Sequence, residues 1–196
     1  MPFVINESKK IFLCSTRNMS YAFALSPSGV PVNLHWGGKI DRMEDLPPAE
    51  EISWFSRSHY HSRAGFSRFE YSAYSPGFCY EPCVKLLSPD CALHLQYAGF
   101  RQESGEHLAV DLSDGGTGLR LRLHYMLYPE FDLLSRWTEV VNEGNAVVRF
   151  ETLFSAVWVL PRGKAPRLTT LQGEWGQEYR VRRAAVEPGE RVLESR

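Results

Sequence analysis

Polar and apolar residues alternate along much of this chain with a period of two. The clearest case is Leu119-Arg120-Leu121-Arg122-Leu123-His124-Tyr125-Met126-Leu127, where every odd position is apolar and the even positions are mostly polar. Successive strand residues point to opposite faces, so this segment predicts a strand with one face on a core. The Leu119, Leu121 and Leu123 face is the one expected to be buried. Asp114-Gly115-Gly116-Thr117-Gly118 precedes it and reads as a turn. Residues 11–16 and 20–26 predict a hairpin pair, and Pro27-Ser28-Gly29 turns the chain into a strand over 30–36. Shorter strands are predicted at 83–88, 93–101 and 107–112. Two long strands, 132–142 and 146–160, are expected to be joined by Asn142-Glu143-Gly144-Asn145 as a hairpin turn. No long segment carries apolar residues at helical spacing. Strands longer than the usual five or six residues, in this number, predict an all-β chain built as a large two-sheet antiparallel β-sandwich.

One stretch resists this pattern. Residues 41–66 hold Pro47-Pro48, acids at 44, 45, 50 and 51, and then Trp54, Phe55, His59, Tyr60 and His61. Long irregular segments inside compact domains are uncommon and are often functional. At 196 residues one domain is expected, with no internal boundary visible. The charge balance of 22 basic and 23 acidic side chains gives a formal net charge of −1. That balance offers no electrostatic footprint for nucleic acid or an anionic membrane, and neither is expected as a partner. No apolar run approaches a bilayer span and no signal peptide is visible. Four cysteines, Cys14, Cys79, Cys83 and Cys91, are too few for a disulfide scaffold, so a reduced, cytoplasmic setting is expected.

The residues that could carry chemistry each have a plainer reading. His59, His61, Cys79, Cys83 and Cys91 are zinc-ligand types, but one loosely spaced cysteine pair without a second knuckle does not make a structural zinc site. Small buried thiols are expected instead, and no metal. The acid pairs Glu44-Asp45 and Glu50-Glu51 read as a solvated loop. Arg180, Arg182 and Arg183 read as a solvated strand face or an interface. No phosphate loop, nucleophile elbow or Ser-His-Asp arrangement is present, so neither catalytic residues nor a cofactor are expected. Aromatics beside acids suit sugars, because a ring stacks on the apolar sugar face while carboxylates accept from hydroxyls.

Six blocks in order resemble the N-terminal domain of the glycoside hydrolase family 36 α-galactosidases. Tyr21, the Ser28-Gly29 turn and Leu34-His35-Trp36-Gly37 with Ile40 are similar to its opening. Phe69-Glu70-Tyr71-Ser72-Ala73-Tyr74 is similar to E-Y-P-x-Y-G, and Glu81-Pro82 to the E-P-A stretch. Gly118-Leu119 and its strand follow. Tyr128-Pro129-Glu130-Phe131-Asp132, Arg136 and Asn142-Glu143-Gly144 resemble Y-x-x-F-D-x-I-x-R…N-x-G. Leu171-Gln172-Gly173-Glu174-Trp175-Gly176-Gln177-Glu178-Tyr179 resembles L-x-G-x-W-x-x-E-R. There are departures. Gly77-Phe78-Cys79-Tyr80-Glu81-Pro82 stands where relatives often read G-D-F-R-E-P, and Tyr179 stands where they commonly carry Arg.

The resemblance implies residues 1–196 as a single sandwich domain preceding a catalytic (β/α)8 barrel that this chain does not include. It also implies a homo-oligomer, a tetramer, in the full-length protein, and α-galactoside sugars as ligands. Of the site residues, Trp175 is the implied sugar contact from the L-x-G-x-W block. Asp45 is the implied loop acid, with Asp41 and Glu51 as alternatives. The other class of function left open is a free-standing carbohydrate-binding or interaction module without catalysis.

Overall fold

The computed structural model describes residues 2–27, 29–47, 68–74, 81–88, 92–160, 165–187 and 192–193, apart from the side chain of Glu174. It divides into two compact units, Met1–Val159 and Leu160–Arg196. The strands, in chain order, are β1 (Phe3–Asn6), β2 (Ile11–Ser15), β3 (Met19–Leu25), β4 (Pro31–Gly38), β5 (Val84–Leu86), β6 (Gln96–Ser104), β7 (His107–Asp114), β8 (Leu119–Tyr128), β9 (Leu133–Asn142), β10 (Phe150–Leu153), β11 (Arg167–Glu174) and β12 (Gln177–Ala185). Among the described residues the only helical turns are short 3-10 pieces at Met43–Asp45 and Pro129–Phe131.

The larger unit is a β-sandwich. One four-stranded sheet runs β1-β2-β3-β4 and a second runs β6-β7-β8-β9, every neighbour antiparallel. Leu119, Leu121, Leu123, Tyr125 and Leu127 of β8 are all buried, as the alternation predicts. They share one apolar cluster with Phe12, Tyr21 and Phe23 of the first sheet. Rings lock the two layers together. Phe23 stacks on Phe12 at 4.7 Å and on Tyr125 of the opposite sheet at 4.7 Å. The first sheet is apolar on its other face too, where Leu13, Ala22, Ala24, Val32 and Leu34 form a second cluster under Met43 and Leu46. That coverage is why β2 and β3 show near-continuous apolar runs instead of alternation.

The turns are held by side chains. Asp132 sits in the left-handed region at φ 50°, a conformation that Asp tolerates. Its carboxylate accepts from Thr16 Oγ1 at 2.7 Å, Asn18 N at 2.7 Å and Asn18 Nδ2 at 2.6 Å. Those bonds, Thr16 first, hold its pKa below the usual carboxylate range. The β8–β9 connection is thereby tied to the β2–β3 turn.

One strand prediction fails. Residues 146–160 are not a long strand paired with β9. Only Phe150–Leu153 is extended in a ladder, and its partner is β5. Side chains of β9 explain this: Thr138 Oγ1 donates to the Ser155 carbonyl at 2.8 Å and Arg136 Nη1 to the Val157 carbonyl at 2.6 Å. Beside those side chains the backbone of 154–158 runs past β9 without a ladder. The smaller unit contains the antiparallel β11–β12 ribbon.

Candidate functional site

Arg136 faces inward on β9, because its register partner is Tyr125, a core residue of β8. A charge in that position needs a partner, and the segment 68–74 supplies it. Glu70 N donates to the Pro31 carbonyl at 3.0 Å, which lays that segment along β4. Glu70 is fully buried, the Arg136 side chain is 3% exposed, and their charged atoms lie 2.6 Å apart. Tyr21 Oη donates to both carboxylate oxygens at 2.8 Å and Tyr125 Oη to one at 2.9 Å. Arg136 also donates to Tyr21 Oη, to the Glu70 carbonyl and to the Val157 carbonyl, and its guanidinium lies 4.9 Å from the Trp158 ring centroid. Burial and then the nearby carboxylate push both tyrosine hydroxyls far up. Burial alone would lower Arg136, but Glu70 and the two tyrosines outweigh it and hold the guanidinium charged. Every charged atom here is committed to a neighbour inside the protein. The cluster therefore acts as an architectural pin across the sandwich, with no open side for a substrate.

The surface offers a different kind of site. A cleft of about 790 Å³ opens beside the β1–β2 pair, lined by Val4, Leu13, Arg17, Lys39, Asp41 and Glu130 among others. Two cations face two carboxylates, so its walls favour neither an anion nor a cation.

The two residues that sequence reasoning singled out fall in different units. Asp45 ends the 3-10 turn Met43–Asp45, whose Met43 packs against the second apolar cluster. Its side chain is half exposed and accepts from Arg42 through two nitrogens, at 3.0 and 3.4 Å. Asp41, not Asp45, lines the cleft. Trp175 sits in the turn between β11 and β12 and is 99% exposed, with Tyr179 also exposed nearby. The turn is shaped by its glycines. Gly176 takes φ +80°, and a Cβ on Gly173 would come within 2.7 Å of the Glu178 backbone. Arg180, Arg182 and Arg183 are exposed on β12.

Of the residues weighed for zinc, His59, His61, Cys79 and Cys91 lie outside the described residues, as do Glu50 and Glu51. Cys83 is buried, and its backbone N–H donates to Ser72 Oγ at 3.1 Å. Burial raises its thiol pKa, and that of Cys14 still more. Among the described residues no three His, Cys, Asp or Glu side chains group as metal ligands, and no helix is long and apolar enough to cross a membrane. Sequence reasoning missed the cleft, because Arg17 and Glu130 are brought together only by the fold. The Asp132 tie that joins their turns has no local signature.

Comparison with known proteins bears on the whole arrangement. Residues 29–196 match the family described as the glycosyl hydrolase family 36 N-terminal domain. Alpha-galactosidase C of Emericella nidulans is 26% identical over 199 residues, covering 91% of this chain and 26% of that protein. Alpha-galactosidase 1 of Pediococcus pentosaceus is 24% identical over 177 residues, covering 77% of this chain and 24% of that protein. The crystal structure of the α-galactosidase AgaB from Geobacillus stearothermophilus superposes with a TM-score of 0.81 at 22% identity, covering 100% of this chain and 30% of that one. An AgaA variant from the same organism, solved in complex with raffinose, gives a TM-score of 0.76 at 22% identity over 95% of this chain and 29% of that one. The chain thus spans less than a third of each of these relatives.

Proposed function

The chain belongs to the glycosyl hydrolase family 36 N-terminal domains, and on that footing we propose that it is the N-terminal β-sandwich portion of an enzyme that hydrolyses terminal α-galactosides. In this reading it contributes to a homo-oligomer, a tetramer, and to the rim of the substrate pocket. The bond-breaking carboxylates lie outside it. The observation that carries the reading is the family match over residues 29–196, in a chain spanning about a quarter of relatives that are themselves α-galactosidases. Retaining hydrolysis needs two carboxyl groups about 5–5.5 Å apart across the glycosidic bond, one of them free to donate a proton. Glu70, the fully buried acid, has its oxygens occupied by two tyrosines and an arginine.

The rim role rests on Trp175. A bare indole presented at a ribbon tip is suited to the apolar face of a galactose ring. Asp45, in the larger unit, is a separate candidate, the loop acid that would reach a sugar in a neighbouring subunit's pocket. The test is hydrolysis of p-nitrophenyl α-galactoside by the purified 196-residue chain and by the complete gene product. The isolated chain is expected to be inert and the complete product active. Turnover by the isolated chain that survives rigorous purification would overturn this reading. Galactoside binding by a complete product that hydrolyses nothing would favour the free-standing carbohydrate-binding module instead.

A further inference from the structure

The outer face of the second sheet carries two imidazoles that the proposed function does not use. Because Leu123 and Tyr125 point inward, His124 points outward, between Arg122 and Met126. In the β7–β8 register Ala109 opposes His124 and His107 opposes Met126. The two histidines are therefore diagonal neighbours on one face, and their rings meet. His107 Nε2 lies 2.9 Å from His124 Nδ1. On the far side of the His124 ring, Nε2 faces the Glu139 carboxylate at 3.3 Å. An ionised carboxylate can only accept, so Nε2 carries the proton and Nδ1 turns its lone pair toward His107. This is the tautomer of a metal-ligating histidine, with the orienting carboxylate already behind it.

The spacing points to a class of ion. Two imidazole nitrogens each about 2.05 Å from one ion and 2.9 Å apart subtend about 90° at that ion. That is the cis angle of square-planar and octahedral coordination, while a tetrahedral ion would hold the nitrogens farther apart. We propose that His107 Nε2 and His124 Nδ1 form a two-nitrogen site for a divalent ion of the copper(II) and nickel(II) class. Among the described residues no third His, Cys, Asp or Glu completes the set, so water fills the remaining positions. On binding, the ion takes the place of the proton that His107 Nε2 donates toward His124 Nδ1, and that proton moves to His107 Nδ1, so both imidazoles stay neutral. The charged groups facing the pair are largely matched. Arg122 bonds Asp111 at 2.7 Å and Glu139 at 3.1 Å, and Arg120 bonds Glu143 at 2.9 Å.

The site has its own reporter. Trp137 of β9 stacks on His124 with ring centroids 4.6 Å apart and planes 5° from parallel, and its centroid is 5.3 Å from that of His107. Copper(II) and nickel(II) quench an indole at such contact distances.

The experiment titrates the purified chain with copper(II) or nickel(II) chloride alone at pH 7.5, following tryptophan fluorescence and calorimetric heat. Saturable binding with quenching is expected. His107→Gln is expected to weaken binding by more than tenfold, and Glu139→Gln by about tenfold. Trp137→Phe keeps both ligands, so it should retain the calorimetric binding while losing most of the quench. Wild-type affinity in His107→Gln would overturn the proposal and move the binding to the four other histidines of the chain. So would undiminished quenching in Trp137→Phe, or no saturable binding at all.

Discussion

Three positions that read as separate pieces of a family pattern, Tyr21, Glu70 and Arg136, are neighbours in space, and their job is structural. Each supplies what another lacks: the guanidinium needs anions and acceptors, the carboxylate needs donors, and the tyrosine hydroxyl does both. Removing one partner of a buried ion pair strands the other in a medium that solvates it poorly. Arg136→Met should therefore destabilise the chain by about 3–5 kcal/mol, seen as a lower urea midpoint. Replacing Arg136 and Glu70 together with apolar residues of similar volume should recover much of the loss. Equal stability of Arg136→Met and wild type would show that the pair is not the pin described here. The inward arginine was visible in the sequence only as one letter of a pattern. That it faces the core follows from its register opposite Tyr125, which periodicity alone does not reveal.

Elements were legible where one face meets the core and the other meets water. Strand β8 satisfies that condition, and its alternation located it to within a residue at either end. Strands β2 and β3 are apolar on both faces, and there turn residues and length carried the reading. The expected strand over 146–160 had the right composition but the wrong partner, since the side chains of Thr138 and Arg136 take the carbonyls that a ladder would use. The β11–β12 pairing was not read from the sequence beyond a strand face or interface at Arg180, Arg182 and Arg183, because most of its residues are exposed and impose no period. At the open end of hairpin β8–β9, Gly118, at φ +74°, meets Gly144; a Cβ on Gly118 would lie 2.8 Å from the Gly144 backbone nitrogen. Gly118→Ala should cost about 1–3 kcal/mol, from strain and clash together. Gly115→Ala, with open space around it, should stay within about 0.5 kcal/mol of wild type. Thermal unfolding of the two variants side by side separates these outcomes.

At the scale of the whole molecule, the family pattern encodes a scaffold: a pinned sandwich, turns tied by Asp132, and a ribbon that holds an indole in the open. Of the candidate site, the sequence supported only an accessible ring at Trp175 between Gly173 and Gly176, and the indole is exposed there. The cleft beside Asp41 and the paired imidazoles depend on register and on turns far apart in sequence, so no local pattern announces them. The central claim is that this scaffold lends Trp175 to the recognition of α-galactosides. The most direct measurement is kcat/KM for an α-galactoside in the complete gene product, wild type against Trp175→Ala, with oligomeric state and unfolding checked alongside. Losing a stacking platform is worth about 1–3 kcal/mol by analogy with base stacking. A fall in kcat/KM of roughly tenfold or more is therefore predicted, with fold and assembly unchanged. Wild-type kinetics in Trp175→Ala would contradict the account.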